Sequence, residues 1–215
     1  VLAKQLILAC GAVETTHLVM KSQKIKNTTL KSSDIIVIPF LSARRQKKNQ
    51  SFENVSELTL TIKNRSLSKK AVVIHLFSKN AILENDFKKF LPKFFMPIIN
   101  FLVLDRCFVG MCFLHSDDSN DIDVSHSKDK TTFVGGSRFS SYINYLSLLT
   151  FFFKNIFTLK LLPLPFIGGP DKPGKSIHYG SSVKIDERGC LARDSRVFVA
   201  DGAALPDIPA GSYSL

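Results

Sequence analysis

The stretch Leu6-Ile-Leu-Ala-Cys-Gly-Ala-Val-Glu-Thr-Thr-His-Leu-Val-Met-Lys-Ser22 changes its period in mid-course. The apolar run Gln5 to Ala9 has the length and composition of a short buried strand, and Cys10-Gly11-Ala12 reads as a tight turn. From Glu14 to Lys21 the spacing becomes helical, with an acidic residue in the first turn where the helix dipole favours it. A strand, a glycine turn and a helix start bring outward-pointing N–H groups together with the positive end of a dipole, and Gly11 permits close approach of a ligand. Such a turn can hold an anion such as phosphate, or it can simply redirect the chain, and local sequence supports both.

Working outward, the middle of the chain is rich in β-branched runs: Asp34-Ile-Ile-Val-Ile-Pro-Phe, Glu57-Leu-Thr-Leu-Thr-Ile-Lys, Lys70-Ala-Val-Val-Ile-His-Leu-Phe and Cys107-Phe-Val-Gly-Met-Cys-Phe-Leu-His. These predict several strands of one sheet. In the second run Glu57, Thr59 and Thr61 are expected to face water while Leu58, Leu60 and Ile62 face the core. Asn80 to Phe90 and Arg138 to Phe153 read as helices, and Leu146 to Gly168 as a buried or interfacial helix followed by a loop. That stretch is interrupted by Lys154, Asn155 and Lys160 and carries Pro163 and Pro165, so no membrane span is expected. Asp117-Asp-Ser-Asn-Asp-Ile-Asp123 lacks the turn glycine of a calcium loop and has Lys128 where a bidentate Glu is needed, so it reads as a polar hairpin loop. His115 and His126 flank it without a third ligand at useful spacing, and no metal site is expected.

The 215 residues carry 29 Lys and Arg against 18 Asp and Glu, a net charge of +11. Residues 1 to 90 hold 16 of the basic and 6 of the acidic side chains, so nearly the whole excess lies there. Its clusters, such as Arg44-Arg45-Gln46-Lys47-Lys48, have no interleaved aromatic residues for stacking on bases, which argues for a solvated face rather than a nucleic-acid surface. Cys10, Cys107, Cys112 and Cys190 form no CxxC pair, and four cysteines are too sparse for a disulfide scaffold; reduced thiols in a cytoplasmic protein are expected. No GxGxxG fingerprint occurs anywhere in the chain, the Val134-Gly-Gly-Ser137 turn included.

Chemistry is concentrated in the last fifty residues, where Gly168-Gly169, Pro173-Gly174, a lone His178 and Asp201-Gly202 crowd together. Ser176, Tyr179, Ser181 and Ser182 set hydrogen-bonding groups close in sequence to the His178 imidazole, although a surface histidine in a polar loop has the same local signature. Val197-Phe-Val-Ala is a short strand leading into Asp201-Gly-Ala-Ala-Leu-Pro-Asp-Ile-Pro-Ala-Gly-Ser212.

Taken together, the front stretch and the segments His178-Tyr-Gly-Ser-Ser182 and Val197 to Ser212 resemble the glucose-methanol-choline oxidoreductases, and more closely a bacterial branch found with sugar and polysaccharide metabolism. The resemblance covers residues 1 to 25 and 168 to 215. It implies an α/β plus α+β fold: residues 1–28 and 166–215 would be parts of a Rossmann-like FAD-binding domain, with residues 29–165 inserted as an antiparallel-sheet substrate domain. It implies FAD as cofactor, beside Cys10, Gly11, Ala12, Asp201, Gly202 and Ser212. His178 aligns with the family's active-site histidine and would take the proton of an alcohol, possibly a sugar, as hydride passes to the flavin. The family's second position, usually His or Asn, falls on Ser212 or Ser214; a serine there can hydrogen-bond the substrate but cannot act as a base. His-Tyr-Gly-Ser-Ser also departs from the commoner His-Pro-x-Gly-Thr. Because the family's opening GxGxxG element is absent, the chain is expected to be the C-terminal part of a longer flavoprotein, inactive alone. The reading from another class is a non-catalytic basic module for an anionic partner, and an inactive gene remnant fits the same sequence.

Overall fold

Period-two alternation in the middle of the chain builds sheets, and the computed structural model gives their pairing for residues 3–44, 56, 58–64, 67–68, 70–77, 106–128, 130–136, 138–165, 168–172 and 176–211. The elements in chain order are β1 (Leu6–Leu8), α1 (Ala12–Gln23), β2 (Asn27–Ser32), β3 (Ile35–Ser42), β4 (Leu58–Lys63), β5 (Ala71–Phe77), β6 (Cys107–Phe113), β7 (Ile122–Ser127) and β8 (Lys130–Gly135). They continue with α2 (Arg138–Lys154), α3 (Ile156–Leu159), β9 (Leu161–Pro163), β10 (Gly169–Pro170), β11 (Tyr179–Gly180), β12 (Cys190–Leu191) and β13 (Asp194–Val199). The architecture is mixed α/β, with mostly antiparallel sheets and a few helices. The expected helix Asn80–Phe90 and the serines Ser212 and Ser214 lie outside the described residues.

The largest sheet has six strands: the order β10-β3-β6-β5-β4, with β9 also pairing β3. One face carries Ile36, Ile38 and Phe40 from β3, Val72, Ile74 and Leu76 from β5, and Cys112 from β6, all packed against Tyr145, Leu148, Leu149 and Phe152 of α2. Phe40 and Phe152 meet edge to face with ring centroids 4.6 Å apart, a favoured aromatic geometry. Pro39 lies inside β3 but falls between the residues paired to β10 and those paired to β9. Its carbonyl accepts from Leu164 N–H on that outer side at 2.8 Å, so the missing proline N–H interrupts no ladder there.

Two smaller sheets are formed by the other described strands. The four-stranded sheet runs β11-β2-β7-β8, and the three-stranded sheet β1-β13-β12 draws its strands from both ends of the chain. Within it β1 and β13 run parallel, Leu6 opposite Val197 and Leu8 opposite Val199. Helix α1 bridges these sheets: Val19 packs with Leu191, Val199 and Ala203, and Met20 packs with Leu30, Ile122 and Val124.

Several sequence expectations are corrected. The four β-branched runs do share one sheet, as β3, β4, β5 and β6, while the strands on either side of them form another: β2 pairs with β11 and β7, and β7 with β8. β1 is not buried: it pairs only with β13 and leaves Ile7 66% exposed at the sheet edge. In β4, Leu60 and Ile62 do pack on the core, but Leu58 is 52% exposed because β4 is an edge strand. The acidic stretch 117–123 is no hairpin loop. It carries the chain from β6 in one sheet to β7 in another, through a short 3-10 turn at Ser116–Asp118. After α2 the chain does not pass directly into a loop; α3 and the short strand β9 follow.

Candidate active site

The front turn and the strand at the far end of the chain meet at one carboxylate. Asp201 follows β13, and its Oδ2 accepts from the backbone N–H of Gly11 at 3.0 Å and from the Thr15 hydroxyl, while its Oδ1 accepts from Ala203 N–H at 2.9 Å. A sequence separation of 190 residues is thus closed on a single side chain. Gly11 stands at φ 88°, in the left-handed region that favours glycine, and begins α1 without a side-chain cap. Asp201 supplies from a distance the acceptor for the N-cap N–H that an N3 Glu or Gln supplies locally in a capping box.

The histidine segment lies along the same turn. Ser181 N–H donates to Gly202 O, and the N–H groups of Ser182 and Val183 both donate to Ala203 O, each at 3.0 Å. The hydroxyls of Ser182 and Thr16 are 2.5 Å apart, which fixes the segment to α1 as well. Gly180 is required by the closeness of this contact: a Cβ built there would stand 2.1 Å from Gly202 O. Ser181 Oγ donates to Pro206 O at 2.8 Å, and Ser116 exchanges hydrogen bonds with Ile208, its N–H donating to Ile208 O and its hydroxyl accepting from Ile208 N–H. The buried His115 lies beside these contacts, its Nε2 3.7 Å from an oxygen of Asp207.

These contacts carry the His178 ring onto the second face of the six-stranded sheet. Phe113 of β6 packs there with Ile35 and Ala210, against Val37, Val73 and Met111. The Phe113 ring lies 5.9 Å from the His178 ring and 5.3 Å from the His75 ring, centroid to centroid. His75 is held from the other side, its Nδ1 2.9 Å from the Thr59 hydroxyl and 3.3 Å from that of Ser56. The backbone at His178 is fixed by Ser176, whose hydroxyl accepts from His178 N–H at 3.1 Å and donates to Ser33 O. Burial, and secondarily the charge of His75, lowers the His178 pKa below its ordinary 6.5. The imidazole is therefore neutral near pH 7, the state in which it can accept a proton.

The sequence-assigned positions Cys10, Gly11, Ala12, Asp201 and Gly202 meet at this corner, and His178 is joined to it through Ser181–Val183. Sequence reasoning missed Thr15, Thr16 and His75. The two threonines sit in the first turns of a helix, where their side chains weaken helix propensity, so they stand out as polar contacts. His75 lies with Ala71, Val73 and Phe77 on the less buried face of β5. Among the described residues, no group of three metal-ligating side chains comes together.

Cys10 and Gly11 are exposed, and a Cβ built at Gly11 would meet no atom within 4 Å, so the turn is open on that side. The Gly11 N–H itself is taken by Asp201, so what the turn leaves open is the Cα side of Gly11. Compared with known proteins, the chain matches no family model, and no curated protein matches it.

Proposed function

We propose that this chain is the active-site part of an FAD-dependent alcohol oxidoreductase of the glucose-methanol-choline type, with the glycine fingerprint for the nucleotide supplied outside residues 1–215. The observation that carries the reading is the joining of two sequence motifs, the turn at Gly11 and the segments at His178 and Asp201, through Asp201 and the Ser181–Val183 hydrogen bonds. Further support comes from β1, an apolar strand parallel to β13 that leaves Ile7 exposed at the edge of a small sheet, where a further strand of a Rossmann-like domain can add.

In this reading residues 1–28 and 166–215 belong to the cofactor domain and residues 29–165 to the substrate domain. Cys10, Gly11 and Ala12 with Asp201 and Gly202 would hold the cofactor, and Ser212 and Ser214 follow in the same stretch of sequence. FAD, when bound, supplies the hydride acceptor. His178 does the proton chemistry: neutral near pH 7, it accepts the hydroxyl proton of the alcohol as the carbinol hydride leaves. Asp201 does not touch the reacting atoms; it holds the N-terminus of α1 and the turn at Gly202 in place. The substrate would be a small alcohol or sugar reaching the His178 imidazole, which is only half-buried. Four free cysteines suit a cytoplasmic setting.

The test is to express the chain with its upstream reading frame, record the visible spectrum, and add alcohols and sugars without oxygen. A bound flavin that bleaches with substrate, and does not bleach in His178→Ala, is the expected result. Protein that stays colourless with added FAD overturns the reading.

A further inference from the structure

We propose that the outer face of α2 and α3 docks on an anionic lipid surface, with the helices lying in the plane of the headgroups. On α2 the side chains of Phe139, Tyr142, Ile143, Leu146 and Phe153 recur at the three-, four- and seven-residue spacings that align one stripe of a helix, and all are exposed. This stripe is separate from the one that holds the helix to its sheet, formed by Tyr145, Leu148, Leu149 and Phe152. Phe157 on α3 follows it and is 91% exposed. Six bulky apolar side chains together on one surface are more than scattered surface hydrophobics and mark a docking face.

Charge decides what docks. Between residues 130 and 170 the sequence holds four basic and no acidic residues. Lys154, at the end of α2, and Lys160, which caps α3, are exposed and follow the apolar stripe in sequence. A nucleic acid would satisfy the lysines but leave the stripe in water. An anionic bilayer satisfies both, since aromatic and aliphatic side chains enter the boundary between headgroups and acyl chains while flanking lysines reach lipid phosphates and carboxylates. The helix is already folded on the sheet, so docking carries no cost of ordering it. No helix among the described residues is long and apolar enough to cross a membrane, so the contact is with the surface.

The chain has no tryptophan, so Phe157→Trp adds a single reporter at the most exposed position of the face. Vesicles of phosphatidylcholine, with and without phosphatidylserine, are the probe. The expected result is flotation and a blue-shifted emission with the phosphatidylserine vesicles only, weakened by added salt. Removing the lysines by Lys154→Gln and Lys160→Gln weakens binding about fivefold each. The pair Leu146→Glu and Phe157→Glu, at positions outside the core, weakens it on the order of a hundredfold with an unchanged circular dichroism spectrum. The proposal is overturned by absence of binding, by equal binding to both vesicle types, or by binding that survives the Glu pair. It is equally overturned if sedimentation shows self-association that the Glu pair abolishes.

Discussion

Asp201 holds three donors with two oxygens, and that valency defines its role. With the carboxylate removed, the Gly11 N–H and the Thr15 hydroxyl lose their acceptor, and Thr15 is fully buried. Asp201→Ala is therefore expected to destabilise the fold by about 1–3 kcal/mol, read by urea unfolding. A purely ligand-binding Asp201 would leave the midpoint unchanged. The two imidazoles on the Phe113 ring give a second residue-scale prediction. Burial and the His75 charge both lower the His178 pKa, and His75→Gln removes only the second cause. The C2 proton of His178, followed by NMR, is expected to titrate at higher pH in the variant while remaining below the ordinary 6.5. An unmoved titration would mean that burial alone sets it. Cysteine chemistry gives a third: Cys10 is exposed, whereas Cys107, Cys112 and Cys190 are buried, and burial pushes the Cys107 thiol up to about 11. Under native conditions a thiol reagent is expected to modify Cys10 alone among the four, checked by mass spectrometry.

Between elements, the tightest constraint is the contact of β11 with the turn after β13. Gly180→Ala would drive a Cβ into Gly202 O and against Ile208 Cδ1, and the obstacle is backbone that cannot rotate away. The expected cost is about 1–3 kcal/mol or more, measured by thermal or urea unfolding. Such contacts mark the limit of what the sequence reveals. The strand, turn and helix from Leu6 to Gln23 were legible because period and glycine signal both point the same way, although the helix starts two residues earlier than Glu14. The strands β3, β5 and β6 were legible from their β-branched runs. What local sequence does not encode is partnership: nothing within Asn27–Ser32 says that it pairs with Ile122–Ser127 rather than with β3. Edge position is hidden for the same reason, so Leu58 and Ile7, apolar by composition, were expected inside and stand exposed. Of the candidate residues, His178 and Asp201 were singled out through their motifs and His75 was not, because its proximity to His178 depends on β5, β6 and the C-terminal segment meeting at Phe113.

For the whole molecule, charge and burial act on stability through different physics, and salt separates them. The chain carries +11 near neutral pH, and any proton taken up as pH falls adds to that, so repulsion among its charges grows. Salt screens that repulsion. His178 adds a separate contribution. Its folded pKa lies below 6.5 because its imidazole is partly buried beside His75, so the unfolded chain binds the proton more readily. A group with this sign leaves stability intact above about 6.5 and lowers it as the pH falls from there through the folded pKa. Salt weakens the His75 share of the shift but leaves the burial share, which comes from lost hydration of the charged ring. The melting temperature is expected to fall below pH 6.5 in low salt and to recover only in part when salt is added. The unrecovered part should shrink in His178→Gln, whose side chain does not titrate. Full recovery by salt in the parent chain would mean that repulsion alone governs the acid limb and that His178 is not held neutral by its surroundings.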